Sequence, residues 1–182
     1  GQLGKMAAIA AKRLGYYVTI LDPNPTSPAG QVADHQIVAG FSDAGALREL
    51  VAGADVSTYE FEHIDADTLE ILELEGYAIY PSGSILKKIQ DKYAQKKMLN
   101  EMGVPVPEFY EISNYSELLS CSDILGFPFV VKFRRGGYDG KGNIVIHKAC
   151  QLKDLESHAG QALLMAEKFI DFDRELSVVT AR

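Results

Sequence analysis

The sequence has few of the residues and patterns that mark disulfide-linked, zinc-binding, membrane-spanning or nucleic-acid-binding proteins. Its two cysteines, Cys121 and Cys150, are isolated, with no Cys-x-x-Cys pair and no histidine at zinc-ligand spacing. We therefore expect reduced thiols in a cytoplasmic protein. No apolar run approaches the roughly 20 residues that cross a bilayer, and no signal-peptide pattern opens the sequence, so we expect no membrane contact. The net charge of −7 argues against a nucleic-acid partner.

The overall composition is that of a globular protein. Apolar residues make up 47% and charged residues 24% of the 182 residues. A chain of this length forms one large or two small domains and buries roughly 70% of its unfolded surface.

A glycine-rich, cationic stretch follows the apolar run 129–133. Four glycines between 136 and 142 alternate with cations that include Arg134, Arg135 and Lys141, and strand character resumes at Asn143. A plain hairpin turn needs about two glycines. Glycine lets backbone amides close around an anion, and Lys and Arg supply charge for phosphate. The stretch therefore predicts a phosphate-binding hairpin loop. It is not a Walker A loop, because no Gly-Lys-Ser/Thr opens a helix here.

The first 22 residues leave two interpretations open. Gly1-x-x-Gly4 precedes a helix predicted over 5–14, the segment 17–21 predicts a buried strand, and Asp22 follows that strand. Glycines at a helix start with an acid about 20 residues on are typical of dinucleotide-binding folds, in which Asp22 would bind a ribose. Equally, Asp22 opens an Asp-Pro-Asn-Pro turn and has a structural role.

The first 80 residues alternate predicted strands and helices, which favours a parallel, Rossmann-like α/β layer. Further strands are predicted at 37–39, 55–60 and 78–80, with a helix capped by Ser42 or Asp43 and another over 69–74. The glycine turn, Glu60 and Glu62 then lie at one sheet edge, where a small phosphorylated substrate would bind. The neighbouring His63 is interpreted as a solvated loop residue.

The second half predicts an α+β unit. A helical stretch over 85–102 is interrupted near Asp91, and its lysines are typical of a solvated face. After the stiff linker 103–107 we expect a strand at 109–112, a Ser116-capped helix to residue 125 and the glycine-rich hairpin. A helix over 152–159, a strand over 162–167 and a final strand from residue 176 follow.

Six ordered motifs give the sequence a specific resemblance to known enzymes. It resembles the ATP-grasp ligases, and among them the N5-carboxyaminoimidazole ribonucleotide synthetase family. The matching segments are Gly-Gln-Leu-Gly-Lys-Met (1–6), Val-Ala-Asp (32–34), Thr-Tyr-Glu-Phe-Glu (58–62), Gln-Asp-Lys (90–92), Gly-Gly-Tyr-Asp-Gly-Lys-Gly (136–142) and Arg-Glu-Leu-Ser-Val (174–178).

The resemblance also implies a domain organisation. A pre-ATP-grasp domain spans 1–81, a connecting helical segment 82–103, and an α+β ATP-grasp lid subdomain 104–166. Residues 167–182 form the hinge and the start of the remaining ATP-grasp subdomain. We expect a fragment that lacks the first strand and the C-terminal part of the family fold.

The resemblance implies two sets of site residues. Those expected to bind ATP are Lys92, Lys132, Gly137, Tyr138, Asp139, Gly140, Lys141, Gly142, Asn143, Glu167, Lys168, Phe169, Ile170 and Glu175. Those expected to bind the ribonucleotide substrate are Gln2, Leu3, Glu60, Tyr138 and Lys141, of which Tyr138 and Lys141 are also the catalytic candidates. The structural alternative for Glu167 and Glu175 is a surface ion pair with Lys168 or Arg174, which would contribute under about 1 kcal/mol to stability.

The reaction that the resemblance implies is the ATP-dependent carboxylation of 5-aminoimidazole ribonucleotide by bicarbonate, through carboxyphosphate. Magnesium would neutralise the phosphates, with its ligands expected beyond Arg182. We expect a homodimer in the complete enzyme and no turnover by the fragment.

Four alternatives to this reaction remain. A formate-dependent glycinamide ribonucleotide transformylase or a biotin carboxylase would share the flap chemistry. A nicotinamide-dependent dehydrogenase would explain Gly1, Gly4 and Asp22 but leaves the cationic loop without a use. A non-catalytic nucleotide-binding module needs no metal ligands.

Overall fold

A computed structural model of the chain describes residues 1–136 and 142–179. It divides into two compact units, Gly1–Gln90 and Asp91–Arg182. Across the described ranges, no helix is both long enough and apolar enough to pass through a bilayer. The finer four-part division, with boundaries after 81, 103 and 166, stays a prediction.

The first unit alternates helices with short strands, as the sequence predicts. The strands pair in parallel, β1 with β2 and β3 with β4, as two separate two-stranded sheets in the described part of the chain. Strands β1, β3 and β4 are shorter than their predicted segments, and β2 lies two residues earlier than the predicted 37–39. The elements are α1 (Gln2–Arg13), β1 (Thr19–Leu21), β2 (His35–Ile37), α2 (Ala44–Ala52), β3 (Ser57–Thr58), α3 (Ala66–Leu74), β4 (Ile79–Tyr80) and α4 (Gly83–Ile89).

Side-chain caps fix where the central helices of this unit begin. The Asp43 carboxylate accepts a hydrogen bond from the Ala46 amide at 3.0 Å, which confirms Asp43 as the cap of α2. Asp65 caps α3 by accepting from the amides of Asp67 and Thr68. Apolar residues of α2, α3, β4 and α4 form the core of this unit: Leu47, Val51, Ala66, Leu69, Leu72, Ile79 and Leu86.

The second unit is built on a four-stranded antiparallel sheet in the order β5-β8-β6-β7. Strands β6 and β7 form the predicted hairpin. The elements are α5 (Lys92–Glu101), β5 (Phe109–Ile112), α6 (Tyr115–Leu125), β6 (Phe129–Phe133), β7 (Asn143–Ile146), a 3-10 helix (Ala149–Leu155) and β8 (Leu164–Lys168).

The two faces of this sheet differ in character because side chains alternate along each strand. One face, with Phe129, Val131 and Ala166, packs into a core with α6 and the 3-10 helix. Residues of the opposite face include Lys132 and Glu167. Helix α5 contacts that second face, where the Tyr93 and Phe109 rings lie 5.4 Å apart. The sheet therefore places charged side chains on the face that α5 covers.

Three local predictions in the second unit are wrong. Asn114, and not Ser116, caps α6, because the Asn114 Oδ1 accepts from the Glu117 amide at 2.9 Å. The helix predicted over 152–159 is a 3-10 helix over Ala149–Leu155. The described part of the predicted last strand, 176–179, is not a strand, and its exposed apolar residues pair with no strand among the described residues.

Candidate functional site

A buried acid–base pair fastens the start of α5 to the end of β6. Asp91 is 5% exposed and caps α5, with its Oδ1 accepting from the amides of Tyr93 at 3.0 Å and Ala94 at 3.2 Å. Arg134, which directly follows β6, donates from Nε to Oδ1 at 2.9 Å and from Nη2 to Oδ2 at 2.6 Å. The two residues form the bidentate arrangement that gives an arginine–carboxylate pair its strength and direction.

Arg134 has two further contacts within the protein. Its Nη1 donates to Glu111 on β5, and its guanidinium carbon lies 5.0 Å from the centre of the Tyr93 ring. The sequence suggested Arg134 as one of the phosphate-binding cations of the hairpin. In the structure this side chain instead joins α5, β5 and β6.

The pKa of Asp91 reflects this environment. Burial alone would raise the pKa of the carboxyl, but the hydrogen bonds from Arg134 and from the amides of Ala94 and Tyr93 outweigh burial and hold the pKa below its ordinary value. The same contact with Asp91 raises the pKa of Arg134. Asp91 is therefore a carboxylate, and the pair is charged, at neutral pH.

The Asp91–Arg134 pair positions Lys92, the first residue of α5. The Lys92 amide donates to the Arg134 carbonyl at 2.9 Å, and its Nζ donates to the Phe133 carbonyl at 3.2 Å. Lys92 is thus held against the end of β6, where the glycine-rich stretch begins. The resemblance implies that Lys92 contacts nucleotide phosphates, and this role stays a prediction.

Glu167 on β8 lies between two lysines. Its side chain is almost fully buried, with the residue 6% exposed. It pairs with Lys132 through Oε1 and lies 2.8 Å from the Lys96 Nζ through Oε2. The register explains the first contact, because Val130 is opposite Glu167 and Lys132 is two residues further along the same face.

Glu167 thus has a different ion pair from the one considered in the sequence. Its partners are Lys132 and Lys96, and not the adjacent Lys168. Lys96 was interpreted as part of a solvated face, although it lies one helical turn after Lys92 and so shares its side of α5. That i, i+4 spacing is the signal that could have found it.

The base of the glycine-rich hairpin is well defined. Gly136 and Gly142 have positive φ of 78° and 86°, a conformation that glycine adopts without the Cβ strain of other residues. The Phe133 amide donates to the Gly142 carbonyl at 3.0 Å, and Asn143 lies opposite Lys132 in the hairpin. The other predicted flap residues lie outside the described residues: Gly137, Tyr138, Asp139, Gly140 and Lys141.

The remaining predicted ATP contacts follow Glu167 along the chain. Lys168 ends β8, and its amide donates to the Glu108 carbonyl at 2.9 Å. Phe169 is half-buried, Ile170 is 48% exposed, and Glu175 is exposed. The roles of these four residues in ATP binding stay predictions.

The first unit contains a cavity of about 400 Å³ between the start of α1 and the ends of β1 and β3. Gly1, Gly4, Asp22 and Glu60 line it, whereas Glu62, which was predicted at the same edge, does not. A Cβ built on Gly4 would lie 3.6 Å from the Glu60 Oε1, so the carboxylate closely approaches the helix start. Other lining residues include Ile20, Leu21, Phe41, Leu47, Leu50 and Ile64.

Two predicted substrate contacts lie near this cavity without lining it. Gln2 and Leu3 belong to the first turn of α1, and both are exposed. Their roles in substrate binding stay predictions. Further along this edge, His63 is 3.7 Å from the Glu62 carboxylate.

Asp22 has the structural role that was one of its two interpretations. Its Oδ1 accepts from the Asn24 amide at 2.9 Å, closing the expected turn, and its Oδ2 lies 3.2 Å from the Gly1 amino group. The Asp-Pro-Asn-Pro turn accounts for this residue without a nicotinamide cofactor.

The described residues, 1–136 and 142–179, bear on where a metal ion could bind. In that part of the chain, no group of three or more His, Cys, Asp or Glu side chains is arranged to hold a metal ion. This finding concerns metal sites built from protein side chains alone, whereas magnesium bound through nucleotide phosphates needs only one or two carboxylates.

Family models match both units. The ribonucleotide synthetase pre-ATP-grasp domain matches residues 1–90, and the ATP-grasp domain matches residues 97–182. Together the two matches account for nearly the whole chain and agree in order with the α/β and α+β units of the structure.

Individual relatives match the chain along its full length. The chain is 40% identical over 183 residues to the N5-carboxyaminoimidazole ribonucleotide synthase of Bacillus subtilis, covering 100% of this chain and 48% of the relative. The chain thus spans about half the length of the curated relatives it matches.

Solved structures agree with the sequence comparison. N5-carboxyaminoimidazole ribonucleotide synthetase from Thermotoga maritima is 44% identical with a TM-score of 0.85, over 95% of this chain and 45% of that one. The synthase from Aspergillus clavatus in complex with ADP and 5-aminoimidazole ribonucleotide is 32% identical with a TM-score of 0.85, over 95% and 45%. The motifs, both domain matches and these relatives place the chain in the N5-carboxyaminoimidazole ribonucleotide synthetase family of ATP-grasp proteins.

Proposed function

We propose that the chain forms part of an ATP-dependent carbon–nitrogen ligase that carboxylates 5-aminoimidazole ribonucleotide with bicarbonate. The observation that carries the proposal is the placement of Lys92 and Lys132 near the base of the glycine-rich hairpin. Family membership supports the same reaction, because a relative of this fold is named as a complex with ADP and this ribonucleotide.

The second unit is the proposed ATP-binding part. Lys92 and Lys132 are cations near the base of a glycine-rich hairpin, the combination that suits a polyphosphate. The Lys132 side chain is 20% exposed, so it is not sealed inside the core. Phe169 and Ile170 supply apolar surface for a purine, and the exposed Glu175 supplies acceptors for ribose hydroxyls.

The proposed chemistry has two steps. A bicarbonate oxygen attacks the γ-phosphorus of ATP, which breaks its bond to the bridging oxygen and gives carboxyphosphate and ADP. The exocyclic amine of the ribonucleotide then attacks the carboxyl carbon, either in carboxyphosphate itself or in CO₂ released from it. Phosphate leaves, the amine loses one proton, and the carboxyamino product forms. Lysines near the transferred group contribute by positioning it and by offsetting its charge.

The first unit is the proposed binding part for the ribonucleotide. The start of α1 offers amide donors to a phosphate, and Gly1 and Gly4 leave room for a close approach. Glu60 lines the same cavity and can accept from hydroxyl or amine groups of the ligand. Gln2, Leu3, Tyr138 and Lys141 complete the proposed contacts.

Three finer features are proposals from the family resemblance. Magnesium would neutralise the phosphates of bound ATP. No group of three or more metal-ligating side chains lies among the described residues, and no step is assigned to a metal held by them. A homodimeric state and a cytoplasmic location are the other two.

The test of this function is nucleotide-dependent phosphate release by the complete protein, measured with and without 5-aminoimidazole ribonucleotide in bicarbonate buffer. We expect phosphate and ADP to form faster when the ribonucleotide is present. Binding of ADP without any turnover in the complete protein would instead support a non-catalytic module.

Substitution of Lys132 by Ala tests the proposed phosphate contact. Losing a charge-assisted contact of about 1.5–3 kcal/mol should weaken ATP use about 10- to 150-fold. Lys153→Ala, at an exposed position of the 3-10 helix, is the control and should leave the rate unchanged. Unaltered ATP affinity and rate in Lys132→Ala would contradict the assignment.

Tyr138 and Lys141 require a different assay, because they are proposed to contact the ribonucleotide as well. Replacing either residue should raise the KM of the ribonucleotide when ATP is saturating. If only the KM of ATP changed, both residues would belong to the nucleotide site alone.

A further inference from the structure

The ion-pair group Lys96–Glu167–Lys132 contains two cations and a single carboxylate. Glu167 is almost fully buried on the sheet face that α5 covers, whereas the side chains of Lys96 and Lys132 are 18% and 20% exposed. The group therefore has one surplus positive charge, located on side chains that solvent still reaches.

The two lysines contact different oxygens of Glu167. Lys132 pairs with Oε1, and Lys96 lies 2.8 Å from Oε2. Oε2 is buried, and it accepts no well-aligned hydrogen bond from the described residues, so the Lys96 contact is an ion pair of imperfect geometry. Lys96 can therefore strengthen its contact with the carboxylate if Lys132 moves away.

Binding of a phosphate by Lys132 would take one of the two cations away from Glu167, and the second cation, Lys96, offsets that loss. The Lys132 ammonium has to leave Glu167, at least in part, to reach an anion. A buried carboxylate that loses its only cation is strongly disfavoured. With Lys96 already 2.8 Å away, Glu167 keeps a counter-ion when Lys132 is transferred to the ligand.

We propose that Lys96 is a positioning residue that serves as the reserve counter-ion of Glu167 and so makes Lys132 available to a nucleotide phosphate. The inference rests on the proposed function, because it takes ATP or ADP as the ligand of Lys132. Lys96 acts through Glu167 and makes no contact of its own with the nucleotide.

A double-mutant cycle on ADP binding tests this role. The variants are Lys96→Met, Glu167→Gln and the double substitution, each measured by titration calorimetry on the complete protein. Lys96→Met should weaken ADP binding at least tenfold in the unaltered background. It should change binding by less than about twofold in the Glu167→Gln background, where no carboxylate charge requires a counter-ion.

Two controls accompany the cycle. Lys97→Met, at the next and exposed position of α5, removes the same charge and should leave the affinity unchanged. Lys96→Arg keeps the cation and should retain most of the affinity. Thermal unfolding of each variant checks folding, and if Lys96→Met does not fold, Lys96→Gln takes its place in the cycle.

The outcomes separate the inference from the proposed function. A loss of equal size in both backgrounds would mean that Lys96 contacts the nucleotide directly or only supports the fold, and would overturn the inference. Unchanged affinity in Lys96→Met would overturn it as well. Absence of ADP binding by the unaltered complete protein would overturn the proposed function of this unit, and the inference with it.

Discussion

Arg134 lies between two carboxylates and an aromatic ring at the end of β6, and its removal would deprive the buried Asp91 of the cation that hydrogen-bonds to it. We expect Arg134→Met to lower the free energy of unfolding by about 3 kcal/mol, because breaking a buried pair from one side costs far more than the pair contributes. Urea unfolding followed by circular dichroism measures it. Arg135→Met is the matched control, since the Arg135 side chain is 53% exposed and 3.8 Å from Asp91, and it should cost under about 1 kcal/mol. Equal losses in the two variants would contradict the structural role of Arg134.

The lowered pKa of Asp91 predicts the direction in which stability changes with pH. The folded pKa lies below the unfolded value of about 3.9, so the contribution of the carboxylate is complete above that value and is lost as the pH falls through the folded pKa. We expect Asp91→Asn to be less stable than the unaltered chain at pH 6, and the difference to narrow below about pH 4. Urea titrations at pH 6, 5, 4 and 3 measure it. Asp123→Asn, at an exposed position of α6, should differ little at any pH. If the stability difference between Asp91→Asn and the unaltered chain widened as the pH fell, it would contradict this link between the pKa of Asp91 and stability.

The sequence identified some residues of the candidate site and missed others, for a physical reason. Lys92 stands within the Gln-Asp-Lys motif, and the family resemblance selected Lys132 and Glu167 by their positions between the motifs. The Asp91–Arg134 pair joins residues 43 positions apart, and its formation depends on which sheet face α5 covers. Lys96 was assigned to a solvated face because a charge count along a helix does not show what packs against the helix.

Among the helices and strands, the sequence predicted the bounds and caps that are determined by the residues at the ends of the element. The bounds of β5 and the Asp43 cap were predicted correctly, since stiff or polar residues surround both. Asn114 was overlooked because a serine two residues later is also a good cap. The segment 176–179 has strand-like composition, but a strand also requires a neighbour to pair with.

The contact between α3 and α4 depends on Gly83 having no side chain. A Cβ at this position would lie 2.7 Å from the Glu70 amide nitrogen and 3.0 Å from the Ala66 carbonyl oxygen, both backbone atoms. We expect Gly83→Ala to lower the free energy of unfolding by about 1–3 kcal/mol through overpacking. Gly45→Ala in α2 is the matched control, because its nearest neighbour is 3.4 Å away, and alanine should raise helix stability there by up to about 1 kcal/mol. Thermal and urea unfolding of both variants measure the effect. A Gly83→Ala variant with a higher free energy of unfolding than the unaltered chain would show that α3 and α4 can move apart without loss of stability.

For the molecule as a whole, charge is distributed in a way that suits a nucleotide-binding protein. The chain has a net charge of −7, yet Lys92, Lys96 and Lys132 all lie in the second unit, on α5 and β6. Two carboxylates, Asp91 and Glu167, hold this group of cations in place from buried positions. Local arrangement, and not net charge, therefore decides which anions this part of the surface attracts.

The contacts described for this group of cations come from within one unit, which leads to a prediction about the isolated piece. Lys92, Lys132 and Glu167 are held by α5, β6 and β8, and the core beneath them is formed by the same unit. We expect residues 91–182 alone to fold cooperatively and to bind ADP within about threefold of the whole chain, a difference under about 1 kcal/mol. Calorimetric titration of both measures it, and Lys132→Ala in the isolated piece should abolish most of the binding. A piece that folds but binds ADP more than tenfold weaker would show that residues 1–90 contribute to the nucleotide site.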